Sequence, residues 1–271
     1  MKHVCCYSGG HSSALVAIEV ARRYGPENLV LVNHDINFTV EHADVKRFKR
    51  EVAEYLGVAV TQVDHPEVHS KDQFDVCVDA KAFKVGSGSE LCTSRLKTEP
   101  FMMWLAKQAQ PCTIYYGFDP LEGKRIQRRS SILGALGYHT DYPLALWKER
   151  TIFNTEEVGI ARPLTYGKWK HGNCVGCLKA GWQHWYVTFC ERPDIWLKAK
   201  WAEDEIGYAI HYDGGEPLYL EDVEPHFVAM RDAGVGATEQ LAPHAFWASA
   251  KKQAKFIRLR DQRELPCECS T

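Results

Sequence analysis

The residues best suited to chemistry near the amino end are Ser8-Gly9-Gly10-His11-Ser12-Ser13, set between a hydrophobic run, His3 to Tyr7, and a helical pattern from Ala14 to Tyr24. Two adjacent glycines let the backbone turn sharply and approach a ligand with no Cβ in the way, while the serines can cap the helix and donate hydrogen bonds. A helix starting there aims its free N–H groups and the positive end of its dipole at whatever anion sits in the turn. The loop therefore reads as a phosphate cradle. An ordinary strand-to-helix turn with capping serines has similar composition. Asn28 to Asn33 is a second strand-like run, however, and it makes the whole a β-α-β unit. The loop is neither the G-x-G-x-x-G dinucleotide fingerprint nor a Walker loop with Gly-Lys-Ser/Thr.

Cysteine is the second signal. Ten cysteines without a secretion signal favour reduced thiols, metal ligands or redox chemistry over a disulfide framework. Cys174-Val175-Gly176-Cys177 has the tight spacing that suits two thiolates on one metal. The chain ends in Pro266-Cys267-Glu268-Cys269, where a thiol on a flexible tail can reach a site, attack sulfur and swing out; a disordered tail or extra metal ligands are the other readings.

A polar stretch, Gly117-Phe118-Asp119-Pro120-Leu121-Glu122-Gly123-Lys124-Arg125, follows a strand-like run. Gly117 permits close approach to a nucleotide, Asp119 or Glu122 can bind magnesium, and Lys124, Arg125 and Arg128 can neutralise phosphate. A solvated polar loop would have the same residues. Asp35, just beyond the second strand, is placed where nucleotide-binding sheets hold a ribose or a metal, although an Asp opening a turn is common. His11 can meet phosphate, whereas His34, His171 and His184 are as readily packing residues.

Taken together, these motifs resemble the PP-loop adenine nucleotide alpha hydrolase superfamily, whose loop reads Ser-Gly-Gly-x-Asp/Thr/Ser-Ser. Leu91-Cys92-Thr93-Ser94-Arg95-Leu96-Lys97-Thr98-Glu99-Pro100 is similar to the Cys-x-x-x-Leu-Lys-x-x-Pro signature of its phosphoadenosine phosphosulfate (PAPS) reductase-like family. The resemblance implies ATP or PAPS bound by Ser8 to Ser13, Lys97, Gly117 and Asp119, with Mg2+ and with Asp35 and Arg125 in catalysis. It further implies a four-iron cluster on Cys92, Cys174 and Cys177, with zinc as the alternative. In the iron–sulfur branch a second cysteine adjoins the first; here Leu91 stands in its place, which leaves the fourth ligand to Cys190 or to an external group. Glu268-Cys269 is similar to the Glu-Cys-Gly tail that carries the nucleophile of sulfonucleotide reductases, with Ser270 replacing Gly, and this makes Cys269 a candidate nucleophile.

The elements needed to position these residues alternate in the first half. Strands are predicted at Cys5 to Tyr7, Leu29 to Asn33, Val58 to Val63 and Thr113 to Tyr116, and helices at Val40 to Leu56 and Pro100 to Ala109. That order predicts an α/β fold with a doubly wound, mostly parallel, Rossmann-like sheet and ligands at the carboxyl ends of the strands. Gln73 to Glu90, with its Gly-Ser repeats, reads as a mobile loop over the site. Helices are predicted from Trp182 to Trp201 and from Ala245 to Arg263, with a glycine turn at Asp213-Gly214-Gly215 between them. The spacing of Trp182, Trp185, Trp196 and Trp201 fits core packing. The predicted division is 1–165 for the nucleotide-binding unit and 166–271 for a helical C-terminal extension.

At 271 residues the chain can bury a large core, and its net charge of -2 excludes no partner class. Lys124, Arg125, Arg128 and Arg129 form one basic cluster; Lys251, Lys252, Lys255, Arg258, Arg260 and Arg263 form another. Such clusters are usually solvated helix faces, though both suit a phosphate-bearing partner. No stretch approaches the roughly 18 apolar residues of a membrane span, so a soluble, cytoplasmic protein is expected. Three functions follow: an ATP-dependent enzyme that adenylates an acceptor, in nucleic acid or a small molecule, for sulfur or nitrogen transfer; a sulfonucleotide reductase; and a non-catalytic nucleotide or iron–sulfur binding module. A homodimer is compatible with each.

Overall fold

The computed structural model describes residues 1–86, 88–108, 111–172 and 174–254. Cys267, Cys269 and the basic cluster from Lys255 onward lie outside the described residues, as does the expected helix beyond residue 254. In chain order the elements are β1 (Lys2–Cys6), α1 (His11–Tyr24), β2 (Leu29–Asn33), α2 (Ala43–Leu56), β3 (Val60–Gln62), α3 (Gln73–Asp79), the single turn α4 (Leu91–Thr93), α5 (Glu99–Leu105), β4 (Cys112–Tyr115), α6 (Gly123–Ala135), β5 (His139–Asp141) and the short α7 (Pro143–Leu146). There follow α8 (Trp182–Glu191), α9 (Pro193–Ile206), the hairpin β6 (His211–Asp213) and β7 (Glu216–Leu218), α10 (Leu220–Asp232) and α11 (Pro243–Gln253).

The central sheet has five parallel strands in the order β3-β2-β1-β4-β5. Alternation along β1 explains its two coated faces. Cys5 and Tyr7 join a core with Ala14, Ile18, Phe48 and Val52 of α1 and α2, while Val4 and Cys6 join one with Phe101, Leu105 and Leu133 of α5 and α6. Helices thus cover both faces of a Rossmann-like α/β sheet. From β1 the chain winds outward to β2 and β3, then crosses back to place β4 on the other side of β1. The crevice between the ends of β1 and β4 is the topological switch point, where such sheets take ligands. β5 escaped the sequence reading because it is a three-residue edge strand, His-Thr-Asp, without the apolar run that marks a buried strand.

Residues 73–90 depart from the expected loop. Asp72 caps α3, accepting from the Phe74 and Asp75 amides at 2.9 and 3.1 Å in a capping box with Asp75, and Phe74 and Cys77 are wholly buried. Lys84 and Glu90 then pair in an isolated antiparallel bridge. Phe74, Val76, Cys77 and Leu91 belong to the core of the C-terminal helices, with Trp182, Trp185, Trp196 and Phe227. The helical layer is therefore built from 73–92 as well as from the residues after 166. Trp201 is the exception among the tryptophans, at 42% exposure. The Gly214-Gly215 turn closes the β6-β7 hairpin, both glycines having positive φ, and α10 is an additional helix in which Pro225 interrupts the sequence pattern.

Glu203 fastens this layer from within. It is 2% exposed, and its carboxylate accepts the Ile210 and Leu220 amides at 2.7 and 2.8 Å, joining α9 to the start of the hairpin and to α10. Glu203→Ala leaves two buried amides without an acceptor, a cost of about 3 kcal/mol. Thermal unfolding is expected to shift down by about 6–10 °C; a melting point unchanged within 1 °C, on the order of a few tenths of a kcal/mol, would show that these amides find other partners.

Candidate functional site

At the switch point a cleft of about 500 Å³ brings together Ser8, Gly10, Ser12, Ser13, Lys97, Gly117, Asp119, Arg125, Cys174 and Cys177. Gly10 is the N-cap of α1 and offers no side chain to the first turn. The Ser13 hydroxyl donates to the Gly10 carbonyl at 2.8 Å, and the Gly10 amide donates to Ser8 Oγ at 3.4 Å, so the loop closes on itself while the helix end stays open. Gly9 has φ +83°, and a Cβ there would run into the buried Lys49 side chain. Gly117 answers it from the end of β4. A Cβ at that position would lie 2.9 Å from the Ser13 nitrogen and 3.0 Å from the Ser12 carbonyl carbon. Glycine at 117 thus leaves the Ser12 and Ser13 amides of the first turn uncovered, as anion binding at a helix N-terminus requires.

Lys97 supplies the charge. Its side chain is buried against the cleft, and among the described residues it forms no ion pair or hydrogen bond. It lies on a five-residue π-helical segment, Ser94–Thr98, between α4 and α5. Pro100, which has no N–H to give to an α-helical ladder, sits just beyond the segment, and such wide turns recur at functional sites. The residue is 6% exposed and lines the cleft with no carboxylate among the described residues paired to it, which suits its ammonium to an anion there.

Tyr166 was not foreseen. Its hydroxyl accepts the His11 amide at 3.0 Å, leaving its own proton to donate into the cleft. Burial raises the Tyr166 phenol above its usual range, so it stays protonated at neutral pH. Tyr166→Phe is expected to weaken nucleotide binding about fivefold to tenfold, the value of one net hydrogen bond of roughly 1 kcal/mol, with the melting temperature unchanged; calorimetric titration checks this, and equal affinity would assign the hydroxyl to loop support alone.

Several expected residues stand elsewhere. The His11 ring is turned to Asn154 and the Thr155 amide, at 3.2 and 3.3 Å, and burial holds its pKa low; only its backbone serves the loop. Asp35 lies outside the cleft in a separate shallow hollow, largely exposed and paired with Lys46 at 2.6 Å, because Lys46 one turn into α2 reaches back to it. Asp119 and Arg125 do reach the cleft. Asp119 caps a short turn through Leu121 and donates its amide to Glu122, while Arg125 pairs with Glu122 and stacks on Phe118 at 4.2 Å. Both Glu122 oxygens are therefore engaged, and Asp119 is the other cleft carboxylate of this turn that could meet a cation.

The cysteines group differently from the expected set. Cys92, Cys174 and Cys177 lie close enough to influence one another, but Cys190, near the end of α8, hydrogen-bonds with Tyr186 instead. The thiol beside Cys92 is that of Cys77, on α3, which hydrogen-bonds to it. Burial raises the thiol pKa of Cys174 and pushes that of Cys177 up to about 12, while Lys97 acts against the rise at both. Four thiols with lysines near them match the donor set of an iron–sulfur cluster or of tetrahedral zinc. Among the described residues no three histidine, cysteine or carboxylate side chains stand close enough together to hold a metal ion as they are placed. His184 braces the thiol loop, its Nε2 accepting the Gly176 amide at 3.1 Å and its Nδ1 donating to Glu239 at 2.8 Å.

Among the described residues no helix is long and apolar enough to cross a membrane. Comparison of the chain with protein-family models, with curated proteins and with solved structures found no match.

Proposed function

We propose that the chain is a PP-loop enzyme of the PAPS reductase-like kind, which binds ATP at the switch point and adenylates an acceptor with loss of pyrophosphate, AMP leaving when a sulfur or nitrogen nucleophile displaces it. The observation that carries this reading is the meeting of the open Ser12 and Ser13 amides at a helix N-terminus, a buried Lys97 paired with no carboxylate among the described residues and a close-packed Gly117 in one cleft.

The departing pyrophosphate gathers negative charge as the α-phosphorus is attacked. Amides of Ser12 and Ser13, the Ser12 hydroxyl and the Tyr166 hydroxyl would hold that charge, and Lys97 would neutralise part of it, all positioned before the reaction begins. Arg125, stacked on Phe118 and steadied by Glu122, also lines the cleft and would meet the α-phosphate. Asp119 would share a magnesium ion with phosphate oxygens. The apolar wall of Val32, Ile36 and Phe118 gives a base a place to pack. A thiolate-bound metal beside the cleft would supply Lewis acidity or a sulfur-binding position, with Cys92, Cys174 and Cys177 among its ligands.

Incubation of anaerobically purified protein with Mg2+ and α-labelled ATP, with water standing in for the acceptor, tests the reading. AMP with equimolar pyrophosphate is expected; ADP as the product would contradict cleavage between the α- and β-phosphates, and binding of PAPS in place of ATP would move the site to sulfonucleotide chemistry.

A further inference from the structure

We infer that Cys77 is the fourth thiolate of a metal site completed by Cys92, Cys174 and Cys177, and that Cys190 is not part of it. The site is for a thiophilic metal centre, an iron–sulfur cluster or zinc, set at the inner wall of the cleft. The inference deepens the reading of the cleft and rests on it only for the neighbourhood of the nucleotide; metal binding is measured without nucleotide, so the two can fail separately.

Three segments far apart in the chain are tied together around these thiols. α3 carries Cys77, and its first residue, Gln73, donates Nε2 to the carbonyls of Val175 and Gly176 at 2.8 and 3.3 Å, within the Cys174–Cys177 loop. Gly176 has φ +69°, and a Cβ there would come within 2.8 Å of Ile195 and 3.1 Å of Phe74, so the loop is pressed against α3 and α9. The Val175 amide donates to the Val40 carbonyl at 2.8 Å, which fixes the loop from the other side. The Leu91 amide donates to the Phe83 carbonyl at 2.9 Å, bringing the α4 turn and its Cys92 back onto the end of α3. Cys77 is fully buried and hydrogen-bonded to Cys92, while Cys174 and Cys177 line the cleft.

The surroundings suit a centre carrying four thiolates, whose net charge is negative with either metal. Lys97 and Lys179 both act on Cys92, and Lys179 pairs with Glu90 at 3.3 Å at the start of the same turn. Of the remaining described thiols, Cys5, Cys6 and Cys112 are packed in the sheet cores, and Cys190 faces Tyr186. Cys77 therefore occupies the role that Leu91 cannot fill, from a helix rather than from the adjacent position. Metal binding would replace the thiol protons and draw the four sulfurs inward.

The test is metal content and spectrum of the full chain purified anaerobically, with and without reconstitution by iron and sulfide, or by zinc. Four irons with matching sulfide, or one zinc, per chain are expected in the wild type. Cys77→Ala and Cys92→Ala should each lower metal retained against a chelator by about tenfold or more, whereas Cys190→Ala should leave it unchanged. Metal retention intact in Cys77→Ala, loss of metal in Cys190→Ala, or no metal under any loading condition would each overturn the inference. Because an alanine at a core position can unfold the chain, cadmium-loaded wild-type protein gives a second reading. Its 113Cd resonance should fall in the four-sulfur range, and a three-sulfur shift would remove Cys77 from the set.

Discussion

Lys97→Met is expected to weaken ATP binding by about 10- to 100-fold, the worth of one charge-assisted contact to phosphate. The reasoning is electrostatic. Lys97 is a buried cleft lysine that no carboxylate among the described residues neutralises, in contrast with Arg125, which is held by Glu122. Methionine keeps the length and apolar stem of lysine, so packing in the π-helical segment should survive and the unfolding temperature should move little. Affinity for ATP in the wild type should also fall with added salt, and less steeply in the variant. Lys97→Arg retains the charge but spreads it over a broader group in a close site, and recovers part of the binding. Equal affinity in wild type and Lys97→Met would show that the ammonium serves another anion or the thiols alone.

Gly117→Ala should be more damaging, with ATP binding reduced by about a hundredfold or more. The added methyl would meet backbone atoms of Ser12 and Ser13 at 2.9 to 3.2 Å. These atoms belong to the junction of β1 with α1, a helix buried nearly all round, so they cannot yield as a flexible side chain would. Either the helix end is pushed from the strand, at a cost of about 1–3 kcal/mol, or the methyl stands over the Ser13 amide that the phosphate needs. In both cases metal content should remain that of the wild type, because the thiols lie on other elements. A calorimetric titration of the variant beside a melting curve separates the two routes; unchanged affinity would mean that the anion lies away from the helix end.

The parts of the site that were legible in the sequence are those in which a local residue type carries a backbone requirement. Gly9 and Gly10 between a strand run and a helix run announce a tight turn whatever the rest of the chain does, and Gly117 after β4 does the same. The sheet was legible for a similar reason, since β1, β2 and β4 are buried apolar runs separated by amphipathic helices. Cys77 was hidden because its partnership with Cys92 is made by the packing of α3, and the Gly-Ser repeats that follow α3 made the whole segment read as a loop. The capping pair Asp72 and Asp75 was the available sign of a helix there. Tyr166 had no sign at all: it reaches His11 across more than half the chain, from a short turn with no periodic pattern. Asp35 failed in the opposite direction, for its position at a strand end was right and its side chain was drawn to Lys46.

The most direct measurement is a calorimetric titration of Mg-ATP into anaerobically purified wild-type protein, run beside Lys97→Met and Gly117→Ala. Saturable binding of one nucleotide per chain in the wild type, with both substitutions weakening it while the proteins remain folded, is the result expected of a phosphate cradle built from Ser8 to Ser13, Lys97 and Gly117. No binding by the wild type, or binding that neither substitution disturbs, would contradict it.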